Sequence, residues 1–276
     1  MQSSSQITII EPARGWKFIN LKELWQYREL LYFLTKRDIK VKYKQTILGG
    51  LWAIIQPFFT MVVFTLFFGR LAKIPSEGVP YPIFVYSGLL PWTYFANAIT
   101  MSGNSLVGNV NLITKVYFPR IIIPVSASLA GLLDFFIAMM VLAGLMIYYH
   151  FVPGIEILVF PILVLLTFLC AVGVGAWLSA LNVQYRDIRY VIPFLIQIWL
   201  FISPVIYPVS MVNVKYQWLM ALNPMAGVIK AYRASVLGHI PIDWGLLCIS
   251  SFIILIILIS GCYYFKKMER YFADVI

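Results

Sequence analysis

Six apolar runs, at about 50–71, 82–102, 124–149, 157–181, 190–207 and 246–265, constrain this chain more than any other feature. A hydrocarbon core of about 30 Å needs about 20 apolar residues at about 1.5 Å per residue, so each run is expected to span a membrane. Composition agrees: 61% of the 276 residues are hydrophobic and 12% are charged. A soluble domain is roughly half apolar and a quarter charged, and a chain this short of charge cannot cover a soluble globule with polar surface. The sequence therefore predicts an all-α integral membrane fold. It comprises a flexible stretch over 1–18, an amphipathic interface helix and basic linker over 19–49, a six-helix transmembrane domain over 50–265 and a tail over 266–276.

The net charge of +10 would suggest nucleic acid in a soluble protein. Here nine of the 21 Lys and Arg precede Gly49, and most others lie in short segments between apolar runs. That pattern suits anionic lipid headgroups and topology control, with no nucleic-acid partner. With the N-terminus inside, sixteen Lys and Arg fall on cytoplasmic segments and five on outer ones, which predicts that both termini are cytoplasmic. The polar first 49 residues lack the short apolar core of a cleaved signal peptide. Cys170, Cys248 and Cys262 lie inside apolar runs at spacings that match no zinc or redox motif.

Asn20 followed by Glu23 resembles a capping box, with Ile19 and Leu24 at staple positions. Beyond it, Leu21, Leu24, Trp25, Leu30, Leu31 and Leu34 gather largely on one side of a helix. Such a helix lies in the membrane interface or packs on protein, and the membrane is the nearer apolar surface. The basic run Arg37–Lys44 then leads into the first span.

Between the last two spans, Asn223 as cap, Pro224 at the first helical position and Gly238 past the end predict a short helix. About fourteen residues reach about 21 Å, too short to cross, so it is either a re-entrant element at a gate or a surface helix. Asp134, near the middle of the third run, needs a partner or water there; it serves ion coupling or polar packing. Trp52, Gln56 and Phe59 fall at i, i+4 and i+7 in the first run, and Phe194, Gln197, Phe201 and Pro204 at i, i+3, i+7 and i+10 in the fifth. Amides among aromatic faces suit sugars, although such stripes also serve helix packing. Pro57, Pro193 and Pro204 would kink these helices.

There is no HExxH, GxSxG or paired Cys/His cluster, and Glu77, Glu156 and Asp243 lie in three different outer loops. No catalytic residue and no metal site is expected. No GxxxxGK[ST] loop occurs, so active transport would draw on a partner or an ion gradient.

Four blocks carry a resemblance: RDIKVKYKQTILGGLWAIIQP (37–57), LITKVYFPRIIIP (112–124), QYRDI (184–188) and NPMAGVIKAYR (223–233). In order and spacing they resemble the permeases of ABC-2 type exporters, within that family most nearly the group exporting O-antigen, capsule and teichoic acid. The likeness runs from about residue 20 almost to the end.

The resemblance implies a homodimer in the bacterial inner membrane, paired with two cytosolic nucleotide-binding subunits that carry ATP and Mg. This chain itself would bind no cofactor. Its substrate would be a lipid-linked polysaccharide threaded past Trp52, Gln56, Phe59, Phe194, Gln197 and Phe201. Asn111, Leu112, Lys115, Val116, Tyr117, Phe118 and Pro119 would couple to the ATPase, with Asn111 as a cap and the apolar members offered to a groove. Asn223, Pro224, Lys230, Tyr232 and Arg233 would belong to an outer gate. The alternatives are a membrane enzyme acting on polyprenyl-linked sugars and an ion-coupled transporter using Asp134.

Overall fold

A computed structural model describes residues 21–44, 49–238 and 240–272. Among these residues the chain is helix and connecting turn, with no strand. Two N-terminal helices come first, α1 (Leu21–Gln26) and α2 (Arg28–Lys44), broken at Tyr27. The proposed cap Asn20 and staple residue Ile19 lie outside the described residues. The basic run 37–44, expected as a linker, instead forms the last two turns of α2.

A 3₁₀ turn (Gly49–Leu51) opens α3 (Trp52–Phe64), and a π-helical segment (Thr65–Leu71) continues it. Then follow α4 (Tyr81–Ser105), the short α5 (Val110–Lys115), α6 (Ile122–Tyr148) and α7 (Phe160–Gln184), the last entered through a 3₁₀ segment (Ile155–Val159). The chain ends with α8 (Ile188–Ile202), α9 (Gln217–Ala221), α10 (Pro224–Leu237) and α11 (Trp244–Met268).

Among the described residues, four helical stretches are long and apolar enough to cross a membrane: Gly49–Leu71, Ile122–Tyr148, Ile155–Gln184 and Trp244–Met268. The other two expected spans differ for physical reasons. With 25 residues, α4 is about 37 Å long, but it carries Ser87, Gly88, Thr93, Asn97, Ser102, Gly103 and Asn104. It packs against α3, α6, α7, α8 and α10, and small residues let those neighbours approach. A Cβ on Gly103 would meet Ile192 of α8 at 2.7 Å.

The fifth expected span, 190–207, ends early. Ser203 turns extended (φ −85°, ψ 143°), because a residue before proline is pushed out of the helical region. Pro204 thus ends α8 rather than kinking it, whereas Pro57 and Pro193 do lie inside helices. The 15 residues of α8 reach only about 22 Å.

Two apolar cores lie within the bundle. The larger surrounds α4 and takes in Phe84, Tyr86, Phe95, Phe135, Ile192, Met225 and Tyr232. The smaller, which we call the base, gathers Leu34, Leu106, Ile113, Phe118, Ile122, Phe265 and Phe272. It ties α2, the α5 loop and the end of α11 together. Along α1 and α2, Leu24, Leu30 and Leu31 join Leu34 against this core, whereas Trp25, Tyr32 and Phe33 are exposed. The sequence had put Trp25 with the leucines.

Candidate functional site

Opposite the base, at what we call the crown, α10 fills the space between α4, α7 and α11. The expected local signals are all present. Asn223 Oδ1 accepts from the Met225 amide (3.0 Å), Pro224 opens the first turn, and Gly238 closes the helix at φ +65°. Thirteen of its fourteen residues are buried. The helix is therefore sunk into the protein and does not lie on its surface.

Polar side chains fasten α10 in place. Asn223 Oδ1 also accepts from Trp199 Nε1 of α8 (3.0 Å), and its Nδ2 donates to Ser203 Oγ (2.9 Å). Arg233 is 3% exposed. Its Nε donates to the Phe84 carbonyl (3.2 Å) and its Nη2 to the Val205 carbonyl (2.5 Å), while its guanidinium lies 3.8 Å from the Phe84 ring centre. A guanidinium with planar donors and aromatic stacking suits this job better than an ammonium would. A Cβ on Gly88 would meet Arg233 Nη2 at 2.7 Å, so glycine there makes room for the guanidinium. Tyr232 meets Phe160 (5.2 Å) and Phe135 (6.3 Å) edge to face. Lys230, partly exposed, pairs with Asp243 (2.9 Å). That contact and the Leu246 amide hold the Asp243 carboxyl below its ordinary range.

On α3 and α8 the anticipated aromatic and amide residues point away from the chain's own core. Trp52, Gln56, Phe59, Phe194, Gln197 and Phe201 are all exposed. Packing within one copy of the chain therefore does not account for either stripe. Pro204, by contrast, is buried beside Val205 and does not continue the α8 stripe.

Asp134 has partners that the sequence did not indicate. Lys42 Nζ pairs with its Oδ2, and the Tyr43 hydroxyl donates to its Oδ1. Both come from the end of α2. Above this trio a cavity of about 180 Å³ opens between α2, α3, α4 and α6, with Trp52, Gln56, Thr93 and Asn97 in its wall.

At the base, the α5 loop divides into an anchor and an exposed tip. Asn111, Lys115, Val116 and Tyr117 are exposed, and Leu112 is half-buried. Phe118 and Pro119 are buried, so these two fix the loop in the base core and are not free to dock. Asn111 does not cap the helix, which begins one residue earlier at Val110. Next along, the Arg120 amide donates to Glu269 Oε1 (2.9 Å) and its Nη1 to the Glu269 carbonyl (2.8 Å). Lys266 also pairs with Glu269 (2.6 Å). The loop is thereby tied to the end of α11.

Sequence reasoning passed over Thr93, Asn97, Asn182 and Glu269. Asn182 of α7 donates to the Gly103 carbonyl (2.9 Å) and Asn104 Oδ1 (3.1 Å) of α4. Thr93 and Asn97 had a signal, four residues apart in an apolar run, which places them on one helix face.

A helical bundle with several membrane-length apolar helices, an inserted crown helix and a tethered basal loop belongs to the class of multi-pass membrane proteins. The profile of the ABC-2 type transporter family matches residues 29–237, and the chain belongs to that family. It is 29% identical over 259 residues to the O-antigen export system permease protein RfbA of Myxococcus xanthus, covering 93% of this chain and 98% of that one. Against a protein of the same name from Klebsiella pneumoniae it is 28% identical over 251 residues, covering 90% and 95%. The polysialic acid transport protein KpsM of Escherichia coli is 23% identical over 214 residues, covering 74% and 80%.

Proposed function

We propose that this chain is the membrane subunit of an ATP-driven exporter that moves a lipid-linked polysaccharide outward across the bacterial inner membrane. Two copies pair with two separate ATPase subunits, which bind ATP and Mg. Six segments cross, with α4 and α8 as the second and fifth, and both termini are cytoplasmic. The α1–α2 element rests at the cytoplasmic membrane surface, with Trp25, Tyr32 and Phe33 available to lipid.

One observation carries the reading: all six pathway side chains face outward from α3 and α8 in a chain matched almost end to end by export permeases. A second copy set against these faces would enclose a channel with aromatic walls and amide groups. Sugar rings slide past aromatic faces without tight binding, and Gln56 and Gln197 exchange hydrogen bonds with passing hydroxyls.

Drive enters at the base. ATP binding closes the partner subunits against Asn111, Lys115, Val116 and Tyr117, with Leu112 at the edge of the contact. Phe118 and Pro119 pass the displacement into the base core, and the Arg120–Glu269 tether passes it to α11. Asn223, Pro224, Lys230, Tyr232 and Arg233 hold the outer gate, which yields when the bundle moves.

Co-purification from native membranes with an ATPase assay tests this reading. A stoichiometric nucleotide-binding subunit is expected, lost when Val116 and Tyr117 are both replaced by Glu. Export is expected to fall in Phe194→Ala/Phe201→Ala. A chain without ATPase, even after crosslinking in cells, would overturn the reading.

A further inference from the structure

The cavity between α2, α3, α4 and α6 has a wall whose polar groups are unusual for the middle of a helical bundle. Gln56, Thr93 and Asn97 all line it, and among the described residues their side chains make no hydrogen bond. Gln56 is exposed and Thr93 and Asn97 are half-buried, so their polar groups open to the cleft and not to a packed core. Three polar side chains on two helices thus give the cleft hydrogen-bonding groups that packing within the fold does not use. Its volume of about 180 Å³ is well beyond one water, which needs only about 10–15 Å³.

We propose that this cleft is a binding site for a single neutral sugar residue. The inference rests on the export reading for its relevance to polysaccharide, and adds a site to it. Charge argues for neutrality, since Lys42, the only cation in the wall among the described residues, is paired with Asp134. An incoming phosphate would face that carboxylate. A metal ion is disfavoured by the donor set, because among the described residues Asp134 is the sole carboxylate in the wall and no His or Cys lines it.

A pyranose supplies hydroxyls that both donate and accept, which suits the two amides and the threonine hydroxyl. Lys42 and Asp134 keep further donor and acceptor capacity beyond their mutual pair. Trp52, which is exposed, offers a ring face to the apolar side of the sugar. The cleft also adjoins the α3 stripe, because Trp52 and Gln56 belong to both. A sugar seated here lies beside the proposed channel rather than in it, and the site would hold one unit of a glycan before it is threaded.

The test is saturation-transfer NMR on the full chain in lipid nanodiscs. The probes are methyl glycosides of glucose, galactose, mannose, rhamnose and N-acetylglucosamine, with inorganic pyrophosphate as competitor. Transfer to at least one glycoside is expected, undisturbed by pyrophosphate. Removing one hydrogen bond of about 1 kcal/mol predicts binding weakened about five-fold in Thr93→Val and in Asn97→Leu. Thr93→Val keeps side-chain shape, so its result stands even if Asn97→Leu folds poorly. No transfer to any glycoside, transfer unchanged in Thr93→Val, or displacement by pyrophosphate would each overturn the proposal. The assay needs no ATPase. Sugar binding by a chain that has no ATPase partner would keep this site and sink the export reading, and the opposite pair of results would do the reverse.

Discussion

Two short helices, α5 at the base and α10 at the crown, both interrupt the long helices of this protein, and their surroundings are opposite. Thirteen of fourteen residues of α10 are buried, whereas only Ile113 is buried in α5. The chain itself satisfies α10, closing its first turn with Asn223 and anchoring it through Arg233 to two carbonyls. It leaves Val116 and Tyr117, just beyond α5, uncovered. Apolar side chains at the tip of a short polar-flanked loop gain nothing from water, and under the proposed function a partner subunit would cover them. The crown helix is part of the fold, while the basal loop is a surface held out by it.

If that contrast is right, crown substitutions should act on stability and basal ones on association. The largest effect is expected for Arg233→Met. It removes two charged hydrogen bonds, worth about 1.5–3 kcal/mol each, and leaves the Phe84 and Val205 carbonyls without that donor. Thermal unfolding in detergent should drop by several degrees, and an unchanged midpoint would break the picture of a pinned helix.

Next comes Asn223→Ala, which loses a helix cap worth about 1 kcal/mol as well as the links to Trp199 and Ser203. A smaller drop in the same assay is expected, with the Trp199 environment altered in fluorescence.

Asp243 tests the crown's rim. Its pKa is depressed in the folded state, so its contribution is present above the ordinary Asp value of about 3.9 and is lost as pH falls through the folded pKa. The Lys230 pair is substantially exposed, which limits the effect to about 1 kcal/mol or less. Asp243→Asn should therefore flatten the acid limb of a stability–pH curve only slightly, and a large loss at neutral pH would show that the rim matters more than its exposure suggests.

Smallest of all should be the stability change in Val116→Glu/Tyr117→Glu, within about 0.5 kcal/mol because both side chains are in water. A substantial fall in unfolding temperature would mean that the basal tip belongs to the fold after all.

Much of this was legible beforehand. Helix caps act over a few residues, so Asn223, Pro224 and Gly238 announced α10 from local sequence, whereas Pro204, expected to kink the fifth span, ends α8 instead. The α5 loop was legible as an element but not as a division of labour. Nothing in VYFP distinguishes Phe118, which the base core takes, from Tyr117, which it leaves out.

The sequence by itself determined that the chain is helical, apolar enough for a membrane and broken at these turns, because periodicity, capping and hydropathy are short-range properties. Only the tertiary structure decided that Lys42 meets Asp134, that Arg233 bonds to the Phe84 and Val205 carbonyls, and that Thr93 and Asn97 share a cleft with Gln56. Lys42 and Asp134 stand 92 residues apart, and Arg233 and Phe84 stand 149 apart. Contacts of that kind depend on how whole helices lie against one another, which no window along the chain contains.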